Sequence, residues 1–131
     1  MTRLHFFLHD ILSGQNPSAV MIARPNITGS AGSFGSLFTI DDPLTVGPEP
    51  TSEIIGNAQG MYVSSSRDLS TFTAVMYADF AFTSGRFNGS SFSLFLEFPP
   101  SPPVRELGNV GGRGAFRMAS GFALLGTALR I

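Results

Sequence analysis

The 131-residue chain has no cysteine, no lysine and no tryptophan, and only 13% of its residues are charged. The missing cysteine excludes disulfides, thiolate metal sites and cysteine nucleophiles together. All eight cations are arginine and the net charge is −1, so there is no basic stripe to hold nucleic acid or anionic lipid. The imidazoles are His5 and His9, on one strand face with no third ligand beside them, and no metal or other cofactor is expected. No apolar run approaches the ~20 residues of a membrane-spanning helix. Met1 leads straight into strand sequence, so a signal peptide is expected either to have been removed or to lie before a late start of this chain.

What is present is apolar surface with little charge to solvate it. Charge is about half the ~25% of an average soluble chain, while apolar residues make up 43% and phenylalanine alone contributes 13 positions. A length of 131 residues supports one core, hence a single domain over 1–131 with interior or interface surface to spare.

The stretch Arg3–Leu12 alternates as a strand. Leu4, Phe6, Leu8, Asp10 and Leu12 share one face, which is apolar but for one carboxylate. Placing that carboxylate among apolar groups raises its pKa, which makes Asp10 the first candidate for acid chemistry. The competing role for Asp10 is to end the strand and cap the turn Ser13–Pro17.

Further strands are expected over Ala19–Ala23, Phe34–Ile40, Glu53–Ser64, Phe72–Thr83, Ser91–Phe98 and Ala115–Leu125. Pro43 is expected to end the third ladder, and Gly56 and Gly60 to bend the fourth strand. Asn88-Gly89 marks a hairpin, and Pro99–Pro103 a stiff polyproline crossing. The cluster Gly111–Gly114 lacks the spacing of a phosphate loop and reads as a bend between strands. Six or seven strands without a helix point to an antiparallel barrel or sandwich, and the aromatic inner faces favour a barrel around a small-molecule cavity. The tripeptides Asn26-Ile27-Thr28 and Asn88-Gly89-Ser90 are N-glycosylation acceptors.

Several stretches taken together resemble the plant dirigent proteins. They are Phe7–Leu12, Phe34-Gly35 with Asp42–Thr45, Gly47–Pro50, Asn57–Gly60 followed by Tyr62, Phe80–Thr83 with Asn88–Ser90, and Val104–Glu106 through Val110–Gly114 to Arg117. The likeness runs from Arg3 to about Thr127, and the phrasing around Asp42 and Val104 is most similar to the pterocarpan-forming branch. It implies an eight-stranded antiparallel barrel of the allene oxide cyclase type, secreted to the apoplast or cell wall, glycosylated and homotrimeric. Such proteins guide coupling of phenoxy radicals made by a separate oxidase, or act on quinone methides in lignan and pterocarpan formation.

The resemblance places Asp10 at the family's first-strand acid and makes Phe6 a pocket wall, with Tyr62 able to hydrogen-bond a phenol. Asp79 stands where the related branch usually has asparagine. Phe6 and Tyr62 serve equally as core packing, and Asp79 as a solvent-facing strand residue. The family's second acid is here Ala115, and its usual arginine is Ser120. A non-catalytic phenolic-binding or cell-wall protein, or an inactive truncated member, is therefore the rival expectation. The family's eighth strand has no counterpart after Thr127–Ile131 in this count, which predicts a sheet one strand short, with exposed edges and a tendency to self-associate.

Overall fold

A computed structural model describes residues 1–26, 34–68, 73–98, 105–125 and 129–130. Its strands are β1 (Phe7–Leu8), β2 (Ala19–Ala23), β3 (Leu37–Thr45), β4 (Ile54–Ser64), β5 (Ala74–Phe82), β6 (Ser91–Phe98), β7 (Arg105–Arg113), β8 (Gly121–Leu125) and β9 (Leu129–Arg130). A 3-10 turn at Gly114–Phe116 joins β7 to β8. All pairings are antiparallel, in the order β1-β3-β4-β5-β6-β7-β8-β9, and β2 shares the outer edge of β3 with β1. The sheet curls as a half-barrel, and β9 comes alongside β1.

The sequence reading and this topology differ at particular elements, each for a physical reason. Residues Arg105–Arg113, read as a connection ending in a glycine bend, form a nine-residue strand paired on both sides. Glycine there answers a close approach: a Cβ on Gly112 would overlap the carbonyl oxygen of Phe116 in the turn that folds beneath it. With β7 counted, the path holds eight strands, which replaces the expectation of a sheet one strand short. The last apolar stretch is correspondingly shorter, because Ala115 and Phe116 belong to the 3-10 turn and β8 starts at Gly121.

Pro43 does not end β3, which continues to Thr45. The Pro43 carbonyl accepts the His9 amide at 3.2 Å. Its nitrogen, on the same side of the strand, therefore points to the outer edge, where the ladder to β4 needs no donor. Gly60 pairs in regular register with Ile40 and Ala78, and the one irregularity between β3 and β4 lies at Leu44/Thr45. Both Gly56 and Gly60 admit β5 closely, since a Cβ on either would overlap a β5 carbonyl oxygen, that of Ala81 or Tyr77. In β1 only Phe7 and Leu8 run in the ladder, so the strand is far shorter than its alternation suggested. The expected polyproline crossing at Pro99–Pro103 lies outside the described residues.

Period-2 alternation decides which side of the curl each residue faces. On β3, Phe38, Ile40, Asp42 and Leu44 face inward, and on β5 Ala74, Met76, Ala78, Phe80 and Phe82 do the same. The phenylalanines concentrate there. Phe80 and Phe92 stack at 5.3 Å, and Phe6, Phe82, Phe87 and Phe116 close around them at centroid distances of 4.8–6.5 Å. This apolar plug packs one part of the interior. Inner β4 positions, by contrast, are nearly without bulk: Gly56, Ala58 and Gly60 precede Tyr62.

Candidate active site

Asp10 sits beyond the end of the β1 ladder, yet the bonds of its neighbours fix it in place. On one side the His9 amide reaches Pro43, and its Nε2–H donates to Thr45 Oγ1 at 2.7 Å. The direction follows because the single hydroxyl proton of Thr45 goes to the Gly47 carbonyl at 2.7 Å. On the other side the Ile11 amide donates to Ser18 Oγ at 2.7 Å, and the Ile11 carbonyl accepts the amides of Ser18 and Ala19. Residue 10 is thus held between two anchored residues.

The pairing Leu8↔Leu44 carries Asp10 toward Asp42 on the inward face of β3. Asp42 is 1% exposed, and its Oδ1 has no hydrogen-bond partner. Burial is the main force raising its pKa, which is pushed up to about 7, with the Asp10 and Asp41 charges adding to the rise and a hydrogen bond from Ser18 opposing it. Asp10 is exposed on its open side, yet the partial burial of its carboxyl, first, raises its pKa too, while its interaction with Asp42 pulls it back. The interaction between the two carboxyls thus favours the neutral form of Asp42 and the charged form of Asp10.

Tyr62 completes the cluster. It stacks on Phe38 with centroids 4.7 Å apart and planes at 14°. Burial, then the nearby charges of Asp10 and Asp42, push its phenol up to about 12, so it stays an O–H donor at every physiological pH. The site therefore combines two carboxyls and a phenol on a face of aromatic and small residues. Proton delivery to an oxygen, proton removal from a hydroxyl, and stacking of a flat ring are all within its means.

A dirigent-like protein family model matches residues 1–130. The chain belongs to the dirigent family. It is similar to dirigent protein 15 of Arabidopsis thaliana, with 62% identity over 97% of this chain and 70% of that protein. It is 49% identical to pterocarpan synthase 1 of Glycine max, covering 93% of this chain and 66% of that protein. The chain thus spans about two thirds of the length of these curated relatives. Among solved structures, the pterocarpan synthase dirigent protein GePTS1 superposes with a TM-score of 0.87 at 41% identity, over 98% of this chain and 79% of that one. Pyocyanin demethylase, at 10% identity and a TM-score of 0.67, shares the fold alone.

Within this dirigent frame the residues singled out from sequence separate. Asp10 and Tyr62 come together around Asp42. Phe6 shares the face of Asp10 but is 1% exposed, buried in the aromatic plug against Phe80, Phe82 and Phe92. Asp79 faces the other side of the sheet, where it takes the Arg113 guanidinium at 2.5 Å and the Ser93 hydroxyl at 2.9 Å. Parity decides this, since Ala78 and Phe80 on either side of it are inward. Ser120 is exposed between the 3-10 turn and β8, and Ala115 is exposed in that turn, its amide bound to Ser90 Oγ at 2.9 Å. Asn26 and Asn88 are both exposed. Among the described residues no three His, Cys, Asp or Glu side chains form a metal-binding group.

Asp42 and Ser18 were the residues missed. The signal for Asp42 was present: Phe38, Ile40, Asp42 and Leu44 alternate as Phe6, Leu8 and Asp10 do, and ending the strand before Pro43 hid it.

Proposed function

We propose that this chain binds a flat phenolic and directs the stereochemistry of its reaction, with the Asp10–Asp42 pair as acid and base. The observation that carries the reading is the buried Asp42 carboxyl, which keeps a proton near neutrality beside Asp10 and Tyr62. The kinship with pterocarpan synthases supports a quinone methide as the substrate. As a hydroxyl adds to the exocyclic carbon, the quinone-methide oxygen accumulates negative charge, and Asp42 gives it the proton. The Asp10 carboxylate takes the proton that the attacking hydroxyl sheds. One C–O bond forms, the ring becomes aromatic, and the pair again holds one proton. A low-polarity face strengthens both transfers.

Phenoxy-radical coupling on the same surface needs a separate oxidase, and there the protein's part is orientation alone. Secretion to the apoplast, glycosylation at Asn26 and Asn88 and assembly as a homotrimer belong to the same reading. For assembly, the outer face carries a row in register, Met61↔Tyr77↔Phe95↔Gly108↔Phe122, whose large members are 41–60% exposed. Such an apolar row suits contact with further copies of the chain.

The test is incubation of the protein with an isoflavanol, which gives the quinone methide by losing its benzylic hydroxyl as water, and separately with a monolignol plus oxidase, with products resolved on a chiral column. One enantiomer in excess with wild type, and loss of it in Asp42→Asn and Asp10→Asn, is expected. Product distributions identical with and without protein, despite measurable ligand binding, favour the rival reading of a phenolic binder that does no chemistry. The replacement of the family arginine by Ser120 is the observation behind that rival.

A further inference from the structure

Ser18 ties the two halves of the acid pair together through three bonds. Its amide donates to the Ile11 carbonyl at 2.8 Å, and its Oγ accepts the Ile11 amide at 2.7 Å. Its carbonyl accepts the Asp41 amide at 2.8 Å. The residue after Asp10 and the residue before Asp42 are thus fastened to one half-buried serine, although the two aspartates are 32 positions apart in sequence, from 10 to 42.

The hydroxyl proton is the informative part. Oγ already accepts from Ile11, and its one proton goes to the His9 carbonyl at 3.2 Å, with the Asp42 carboxyl as the second acceptor open to it once that group is charged. A carbonyl at that distance is the weaker acceptor, and an ionised carboxylate the stronger. While Asp42 holds its proton, the hydroxyl rests on His9. Once Asp42 has released it, the hydroxyl turns to the new charge. Every other titratable group facing Asp42 acts against or apart from that ionised form. Asp10 from the β1 segment and Asp41 from β3 repel it, and the Tyr62 phenol on β4 contributes no hydrogen bond to it. Asp41 is itself turned to the far face, bound to Asn57 Nδ2 at 3.0 Å.

We infer that Ser18 is a positioning residue of the acid pair, setting the gap between Asp10 and Asp42 and stabilising Asp42 after proton release. The inference rests on the acid-pair reading above, but its first test needs no turnover. Carboxyl carbons of Asp10 and Asp42, labelled with carbon-13, are titrated by NMR in the full chain as wild type, Ser18→Ala and Ser18→Thr, with Ile11 amide exchange recorded alongside. Ser18→Ala is expected to move the upper titration step of the pair upward by about one pH unit. Ser18→Thr, which keeps the hydroxyl, should restore it to within a few tenths of a unit.

The pH profile of turnover should move with the titration, at nearly unchanged KM. An unmoved step in Ser18→Ala overturns the inference. A downward step with fast exchange at Ile11 overturns the stabilising role, because Ser18 then only sets the gap. If Ser18→Ala does not fold, Ser18→Cys, a weaker donor and acceptor, carries the same comparison. A titration that moves as stated in a protein that yields no chiral product sustains Ser18's role and removes the catalytic reading instead.

Discussion

At the scale of single residues, the decisive feature is that Asp42 is inside while its ordinary chemistry belongs outside. Its pKa is raised from 3.8 to about 7, so the sign of its effect on stability is fixed. Below pH 4 folded and unfolded chains both hold the proton. Between about 4 and 7 the unfolded chain releases it and the folded one does not, so stability falls as pH rises and levels off above 7. Asp42→Asn should flatten that slope in thermal melts from pH 4 to 8 and gain at most a few kcal/mol over wild type at pH 8, even as it abolishes turnover. Parallel curves for the two proteins would show that Asp42 is not the group titrating. Tyr62, kept protonated, offers a donor to a phenolic oxygen. Tyr62→Phe should weaken binding of a phenolic by roughly 5–10-fold in calorimetry, in line with one hydrogen bond of about 1 kcal/mol, and an unchanged Kd removes that contact from the reading.

At the scale of elements, β4 shows how a strand fits a closely packed neighbour. Its inward glycines Gly56 and Gly60 let the backbone of β5 press close. Gly60→Ala pushes a methyl into the Tyr77 carbonyl oxygen, which does not yield as a flexible side chain does. A loss of about 1–3 kcal/mol or more in urea denaturation is expected. Gly111→Ala is the matched control, because nothing lies within 4 Å of its Cβ and its backbone is not left-handed, and its midpoint should stay within experimental error of wild type. The short β1 makes the complementary point. Where the ladder stops at Leu8, the bonds of His9 and Ile11 take over the task of placing Asp10.

For the whole molecule, the curl separates two surfaces with different work. The inner one holds the phenylalanine plug and the acid pair. The outer one has a polar line, with Asp79 between Arg113 and Ser93 and with Asp41 bound to Asn57, next to the exposed row of Met61, Tyr77, Phe95 and Phe122. An apolar row bordered by fixed charges suits a specific contact between copies better than a general stickiness. Phe95→Asp should shift the protein to a smaller species in sedimentation while the intrinsic melting of its sheet changes little, since the residue is 51% exposed. Equal sedimentation of variant and wild type would remove this face from the assembly.

Sequence alone determined what depends on local pattern. The period-2 alternation of Leu4, Phe6, Leu8 and Asp10 put a carboxylate on an apolar face, the Asn88-Gly89 turn marked a hairpin, and the run of family motifs gave the dirigent barrel. Tertiary structure decided what depends on the partner strand. Pro43 is harmless only because its nitrogen faces the outer edge, and Arg105–Arg113 is a strand only because β6 and β8 flank it. Asp79 and Tyr62 both sit in alternating strands, yet parity against Phe80 and Phe38 sends one outward and the other to the acids. Above all, one carboxylate read from sequence became two side by side, because Ser18 binds the segment of Asp10 to the strand of Asp42, and a contact across 32 positions has no local signature in the chain.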